Sequence, residues 1–264
     1  MGARSSQSRG SGLNKSDGHL LEYFRQTFGA GGGGTNYVDP GSGHTATGGV
    51  INDYSVGGSY YRAHIFTGSG TFEVTELSPT YASTVDYLVV AGGGAGGPMN
   101  AGNHYSASGG GGAGGLRTSI PGVMPNTGSA LPVAVAVYNV VVGGGGASND
   151  FQQRGGSGFD SSLQYNGGTI TCTGGGGGGS TTQAETAPIR DGGPGGSGGG
   201  CSGNQHTGTT SGGAASPNSD PDRQGYPGAG PFGTAPQNTG AGGGGGGAGG
   251  AGPIDAYPLS LIHI

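Results

Sequence analysis

Two segments carry most of the side chains able to recognise a ligand. Asn103-His104-Tyr105 lies within 98–108, and 201–232 holds Asn204-Gln205-His206, Asp222, Arg223, Tyr226 and Phe232. Aromatic faces stack on sugar rings, while amide and imidazole groups bond sugar hydroxyls. Asn103, His104, Tyr105, His206, Tyr226 and Phe232 are therefore the candidate receptor-binding residues. The alternative is that these segments are solvated connectors. His64, beside Arg62 and Phe66, is expected to be a structural histidine bonded to a turn. Tyr60, Tyr61 and Tyr87 are expected to pack on a sheet.

Other patterns imitate chemistry without its setting. Gly92-x-Gly94-x-x-Gly97 follows Leu88-Val89-Val90 and fits the dinucleotide-binding fingerprint. That mechanism needs a helix whose N-terminus holds the pyrophosphate. Pro98-Met99-Asn100-Ala101-Gly102-Asn103 follows instead, with no amphipathic period. There is no Gly-Lys-Ser/Thr of a P-loop, and the α/β setting of a Gly-x-Ser-x-Gly elbow is missing. Cys172 and Cys201 are the only cysteines. They either pair, closing a loop of about thirty residues, or remain free thiols. Two cysteines and scattered histidines do not make a metal site. We expect no catalytic residues, no cofactor, no metal and no enzyme.

Composition narrows the partners. Glycine supplies 71 of 264 residues, charged residues are 9 %, and the formal net charge is -5. With Lys15 the sole lysine, there is no basic stripe to neutralise phosphates, which argues against nucleic acid. No apolar run reaches the eighteen or so residues of a membrane span, so no membrane insertion is expected. The first thirty residues lack the apolar core of a signal peptide. Met1 to Ser6 fits a myristoylation pattern, which we read as chance.

The elements that must position the loops announce themselves by repetition. Three times a β-type segment runs into glycines: 87–91 into 92–97, 140–142 into 143–146, and 169–173 into 174–179. Ordering glycine is costly, so disorder is one reading of these blocks. Collagen needs glycine at every third position, which the uninterrupted 174–179 breaks. The third reading is a bundle of polyglycine-II helices, whose outward-pointing amides bond to neighbouring helices. A central helix must then be nearly all glycine, as in 174–179 and 242–247. An outer one needs glycine only on its inward edge, as 192–200 is expected to show. Strands paired in a sheet would deliver these extensions side by side, which favours the bundle.

The β-rich part reads as strands over 49–54 and 60–67 parted by Gly57-Gly58. A further strand over 71–75 turns Phe72 and Val74 to one face. A continuous strand is expected over 85–90, and another over 132–142 with Val133, Val135 and Val137 alternating. Only 20–28 hints at a helix. The fold class is therefore an all-β N-terminal part, a small sheet or sandwich, continuing into a glycine-rich bundle of polyglycine-II helices with long loops and little or no α-helix. Its expected divisions are an irregular tail (1–47), a β-rich region (48–91), a glycine-rich region with intercalated strands at 131–142 and 168–173 (92–252), and an irregular tail (253–264). Residues 259–264 look like a translated sequencing adapter, which reads as an artefact and not as part of the fold. The alternative is a genuine apolar tail.

The stretches Tyr61-Arg-Ala-His-Ile-Phe-Thr-Gly-Ser-Gly-Thr-Phe-Glu-Val-Thr75 and Val85-Asp-Tyr-Leu-Val-Val-Ala-Gly-Gly-Gly-Ala-Gly-Gly97 resemble the glycine-rich domain proteins of marine tailed phages. The likeness covers about residues 48 to 250. It implies a virion structural protein of the tail-fibre type, made in the host cytoplasm and carried on the phage tail. The glycine blocks are also similar to the distal adhesin of T-even-type phages, whose loops bind the host surface. Implied partners are a host cell-surface glycan or outer-membrane protein and other tail-fibre proteins. The competing classes are a purely structural virion or extracellular matrix protein without a receptor site, and an ice-binding slab. The last expects regular threonines along one face, and the interrupted runs do not supply them.

Overall fold

The computed structural model describes residues 43–56, 58–99, 107–120, 128–150, 153–181, 189–203, 210–217, 222–230 and 242–249. Among these, eleven strands form and no α-helix does. The helix hinted at over 20–28 lies outside the described residues. The main sheet is antiparallel with order β1 (Thr45–Thr47), β4 (Gly70–Glu76), β9 (Ala136–Val141), β10 (Ser161–Tyr165) and β11 (Gly168–Cys172). The sheet thus begins just before the boundary expected at residue 48.

Alternation in β4 decides the core. Phe72 and Val74 pair with Tyr138 and Ala136 of β9, and Ala46 of β1 sits opposite Val74. Ala46, Val74, Val133 and Tyr138 are buried together, with Phe72, Leu77 and Val85 packed against them. Burying a side chain such as Val74 contributes about 1.5–3 kcal/mol. The Tyr138 hydroxyl accepts from Ala134 N at 2.7 Å and donates to Ala134 O at 3.0 Å, so its polar end is satisfied.

β2 (Val50–Val56) and β3 (Ser59–Ile65) form a separate hairpin in full register, turning through Gly58 at φ 84°. Tyr60 and Tyr61 pack no sheet core here. Both are exposed, and Tyr61 stacks on Tyr54 with centroids 5.4 Å apart. Arg62 grips Asp53 with two hydrogen bonds, 2.7 and 2.9 Å, and this holds the Asp53 carboxyl below the usual carboxylate range. His64 does bond a turn: its Nδ1 donates to Gly48 O at 2.8 Å, and its ring meets the edge of Phe72.

The apolar segments expected as continuous strands are broken. Residues 85–90 divide between β5 (Thr84–Val85), paired with β8 (Leu131–Pro132), and β6 (Leu88–Val90), paired with β7 (Leu116–Thr118). The cause lies at the junction: Tyr87 N is bonded by Ser119 Oγ, and Tyr87 O accepts from Thr118 Oγ1. Residues 132–142 also divide, because Val133 N turns to Ser83 O and Ala134 N to the Tyr138 hydroxyl. Val133 is buried while Val135 and Val137 are exposed.

The glycine runs bond to one another with a step of three residues. Ala91, Gly94 and Gly97 donate to Gly115, Gly112 and Gly109 at 2.8–2.9 Å. Gly109, Gly112 and Gly115 in turn donate to Gly179, Gly176 and Thr173. A β-ladder repeats every second residue on each face; a step of three is that of a three-per-turn helix. Among the described residues positive φ is confined to Gly48, Gly49, Gly58 and Gly167, so the described runs keep the negative φ of left-handed polyglycine II.

The run 174–179 is the centre. Its amides and carbonyls bond to the segments 92–95, 109–112, 155–158, 193–196 and 197–200. A Cβ on Gly176 would fall onto the Gly193 carbonyl, and one on Gly177 onto the Gly155 carbonyl, so no larger residue fits. Residues 192–200, in contrast, are not one outer helix. Gly193 and Gly196 run antiparallel to the centre, Ser197 and Gly200 run parallel to it, and Gly199 N donates back to Gly193 O at 2.8 Å. The chain reverses at Gly196-Ser197.

Candidate functional site

The bundle has two unlike ends. At one, the runs leave β6, β7, β10 and β11, and Gln224 ties them together: its Oε1 accepts from Thr173 N at 2.7 Å and its Nε2 donates to Thr171 O at 3.2 Å. Leu116 N donates to the Gln224 carbonyl at 2.9 Å. This is the sheet end.

The other end lies away from these strands. Gly97 meets Gly109, Gly156 meets Ala147, Ser180 meets Ile189, Gly203 meets Ala107, and Cys201 meets both Ala229 and Gly243. Thr210 Oγ1 donates to Ser202 O at 3.4 Å. The flanks of segments 100–106, 151–152, 182–188, 204–209 and 231–241 therefore share one end, which we call the loop end. Each run is held by neighbours on several sides, so the end is rigidly framed.

Asn103, His104, Tyr105, His206 and Phe232 lie outside the described residues, but the residues flanking them all reach the loop end. Tyr226 does not. It sits two residues from Gln224, lower on the flank of the bundle, with the Arg223 guanidinium 5.1 Å from its ring centroid.

Sequence reasoning did not single out Arg190, Ser180, Thr181 and Ser202, which lie at the loop end and are 0–2 % exposed. The Arg190 carbonyl accepts from Ser202 N at 2.8 Å and Ser202 Oγ at 3.3 Å. Ser180 Oγ donates to Pro98 O at 3.1 Å. Nearby, Arg154 Nε donates to Asp191 O at 2.8 Å, and the Asp191 carboxylate accepts from Ser211 N at 2.7 Å. The one signal in sequence is position: Ser180-Thr181 ends the longest pure glycine run of the centre.

The fingerprint at Gly92–Gly97 has four of its amides, including those of all three motif glycines, engaged within the bundle. Gly92 N, Gly94 N, Ala95 N and Gly97 N are all taken by carbonyls of Phe159, Gly112, Gly156 and Gly109. Cys172 and Cys201 are free and buried. Burial pushes both thiols up, that of Cys172 to about 12. Among the described residues no group of three or more His, Cys, Asp and Glu could hold a metal.

Residues 66–257 match the family model for a glycine-rich domain, which is well over half of the chain. The chain belongs to that glycine-rich domain family. No curated protein and no solved structure matches it. The match begins at Phe66, so the β2–β3 hairpin precedes the glycine-rich domain, whereas β4 to β11 and the bundle fall inside it.

Proposed function

We propose that this glycine-rich domain protein is a phage virion component of the tail-fibre or adhesin type. It presents loop-end segments to a glycan or outer-membrane protein of the host surface. The observation that supports this is that the residues flanking five sequence connections meet at one end of a cross-bonded bundle. Loops on a rigid scaffold can vary without cost to the fold, which suits recognition. Asn103, His104, Tyr105, His206 and Phe232 belong to those connections, and Tyr226 lies on the flank of the bundle. No catalytic step belongs to this reading.

The test is binding of the purified full chain to a panel of bacterial strains, with residues 204–209 and 231–241 exchanged between related chains. Strain-dependent binding that follows the exchanged segments supports the reading. Absence of binding, with unchanged adsorption of phage lacking the protein, overturns it and leaves a structural virion protein.

A further inference from the structure

Arg190 is 2 % exposed, and among the described residues its Nε has no hydrogen-bond partner. Among the described residues the ion pairs are Arg62 with Asp53 and Arg117 with Asp222, and neither involves Arg190. The neighbouring carboxylate of Asp191 is engaged by Ser211 N. A guanidinium keeps its charge throughout the pH range of folded proteins. Withdrawing such a charge from water without an anion is among the costliest arrangements a fold can hold. Ser180, Thr181 and Ser202 are buried at the same end.

We propose that Arg190 receives an oxyanion (carboxylate, phosphate or sulfate) carried by the surface polysaccharide that the loop end engages. The source of the anion rests on the receptor reading above; the site itself rests on the buried Arg190 guanidinium, whose Nε finds no partner among the described residues. The planar fork of Nε–H and terminal N–H groups matches two oxygens of such an anion. A neutral sugar hydroxyl cannot offset the charge, so the substrate class is an acidic glycan. Low surrounding dielectric strengthens the pairing.

Thermal melting of the full chain with inorganic phosphate as probe, at constant ionic strength against chloride, tests the site. At ten times its Kd, phosphate is expected to raise Tm by about 3–5 °C in the parent. In Arg190→Met, which keeps length and loses charge, the shift disappears. An equal shift in both proteins, or none in the parent, overturns the proposal. So does a Glu185→Gln variant that loses as much Tm as Arg190→Met, because the partner would then be this chain's own carboxylate. The source is read from immobilised polymers: a polyuronate, a phosphate-bearing polysaccharide and a neutral glucan. At least tenfold tighter binding to one of the acidic polymers, lost in Arg190→Met, supports the proposal and tells carboxylate from phosphate. Equal binding to all three overturns it, even if host cells are still bound. A phosphate shift without binding to any cell supports the site and overturns the receptor reading.

Discussion

At the scale of single residues, Cys172 shows how burial alone sets chemistry. It is 0 % exposed in β11, and its Sγ–H donates to Val89 O at 3.3 Å. Desolvation penalises the thiolate, which moves the thiol from an ordinary 9.0 to about 12. Cys201 shifts in the same direction for the same reason. The unfolded chain releases the Cys172 proton near pH 9, while the folded chain holds it to about 12. The folded state therefore binds more protons across that window, and stability falls as pH rises through it. Below pH 9 this contribution is fully present. The expected Cys172 share of the loss approaches a few kcal/mol by pH 12, at about 1.4 kcal/mol per unit, and Cys172→Ala should lose less stability by that share while Cys201 keeps its own. At pH 8 neither thiol should react with a maleimide until the chain unfolds. Prompt native-state labelling would contradict the burial.

At the scale of elements, glycine is required by close approach, and that requirement is unequal along the runs. A methyl at Gly176 meets the Gly193 backbone, which cannot move aside as a side chain can. A methyl at Gly244 meets nothing within 4 Å, at negative φ that alanine also adopts. Gly176→Ala is expected to destabilise by about 3 kcal/mol, the upper range of overpacking. Gly244→Ala should be neutral or gain about 0.5 kcal/mol through a less flexible unfolded chain. Denaturant midpoints of the two variants decide it, and equal losses would mean that the runs are not packed as described. This inequality was partly legible beforehand. Uninterrupted 174–179 marked the centre, and alternation around Phe72 and Val74 marked the inward face of β4. Other features left no trace in sequence. β10 is Ser-Ser-Leu-Gln-Tyr, with no β-branched residue, and its strand exists because β9 and β11 flank it. The reversal at Gly196-Ser197 has no side-chain pattern to announce it. Arg190 could not be recognised because its burial depends on segments brought together only by the fold.

At the scale of the whole molecule, the question is why so much glycine stays ordered. Each residue fixed costs about 1–2 kcal/mol of backbone entropy, and a hydrogen bond returns about 1 kcal/mol net. No single run can stand on those terms, so the runs must form together with the sheet that aligns them. The 174–179 run bonds to five segments, whereas 242–247 bonds to three: 110–113, 198–201 and 226–229. Protection against hydrogen exchange should follow that order. Gly175, Gly176, Gly178 and Gly179 should exchange only through global unfolding, at the rate of β4 amides, with Gly243 and Gly246 opening earlier by local detachment. Melting followed by far-ultraviolet dichroism and by exchange at Gly176 should then give one coincident transition for sheet and bundle. Exchange at Gly176 as fast as in an unstructured peptide, with β4 still protected, would mean that the runs take their hydrogen bonds from water. The loop end would then have no frame to hold Arg190 or the connections beside it.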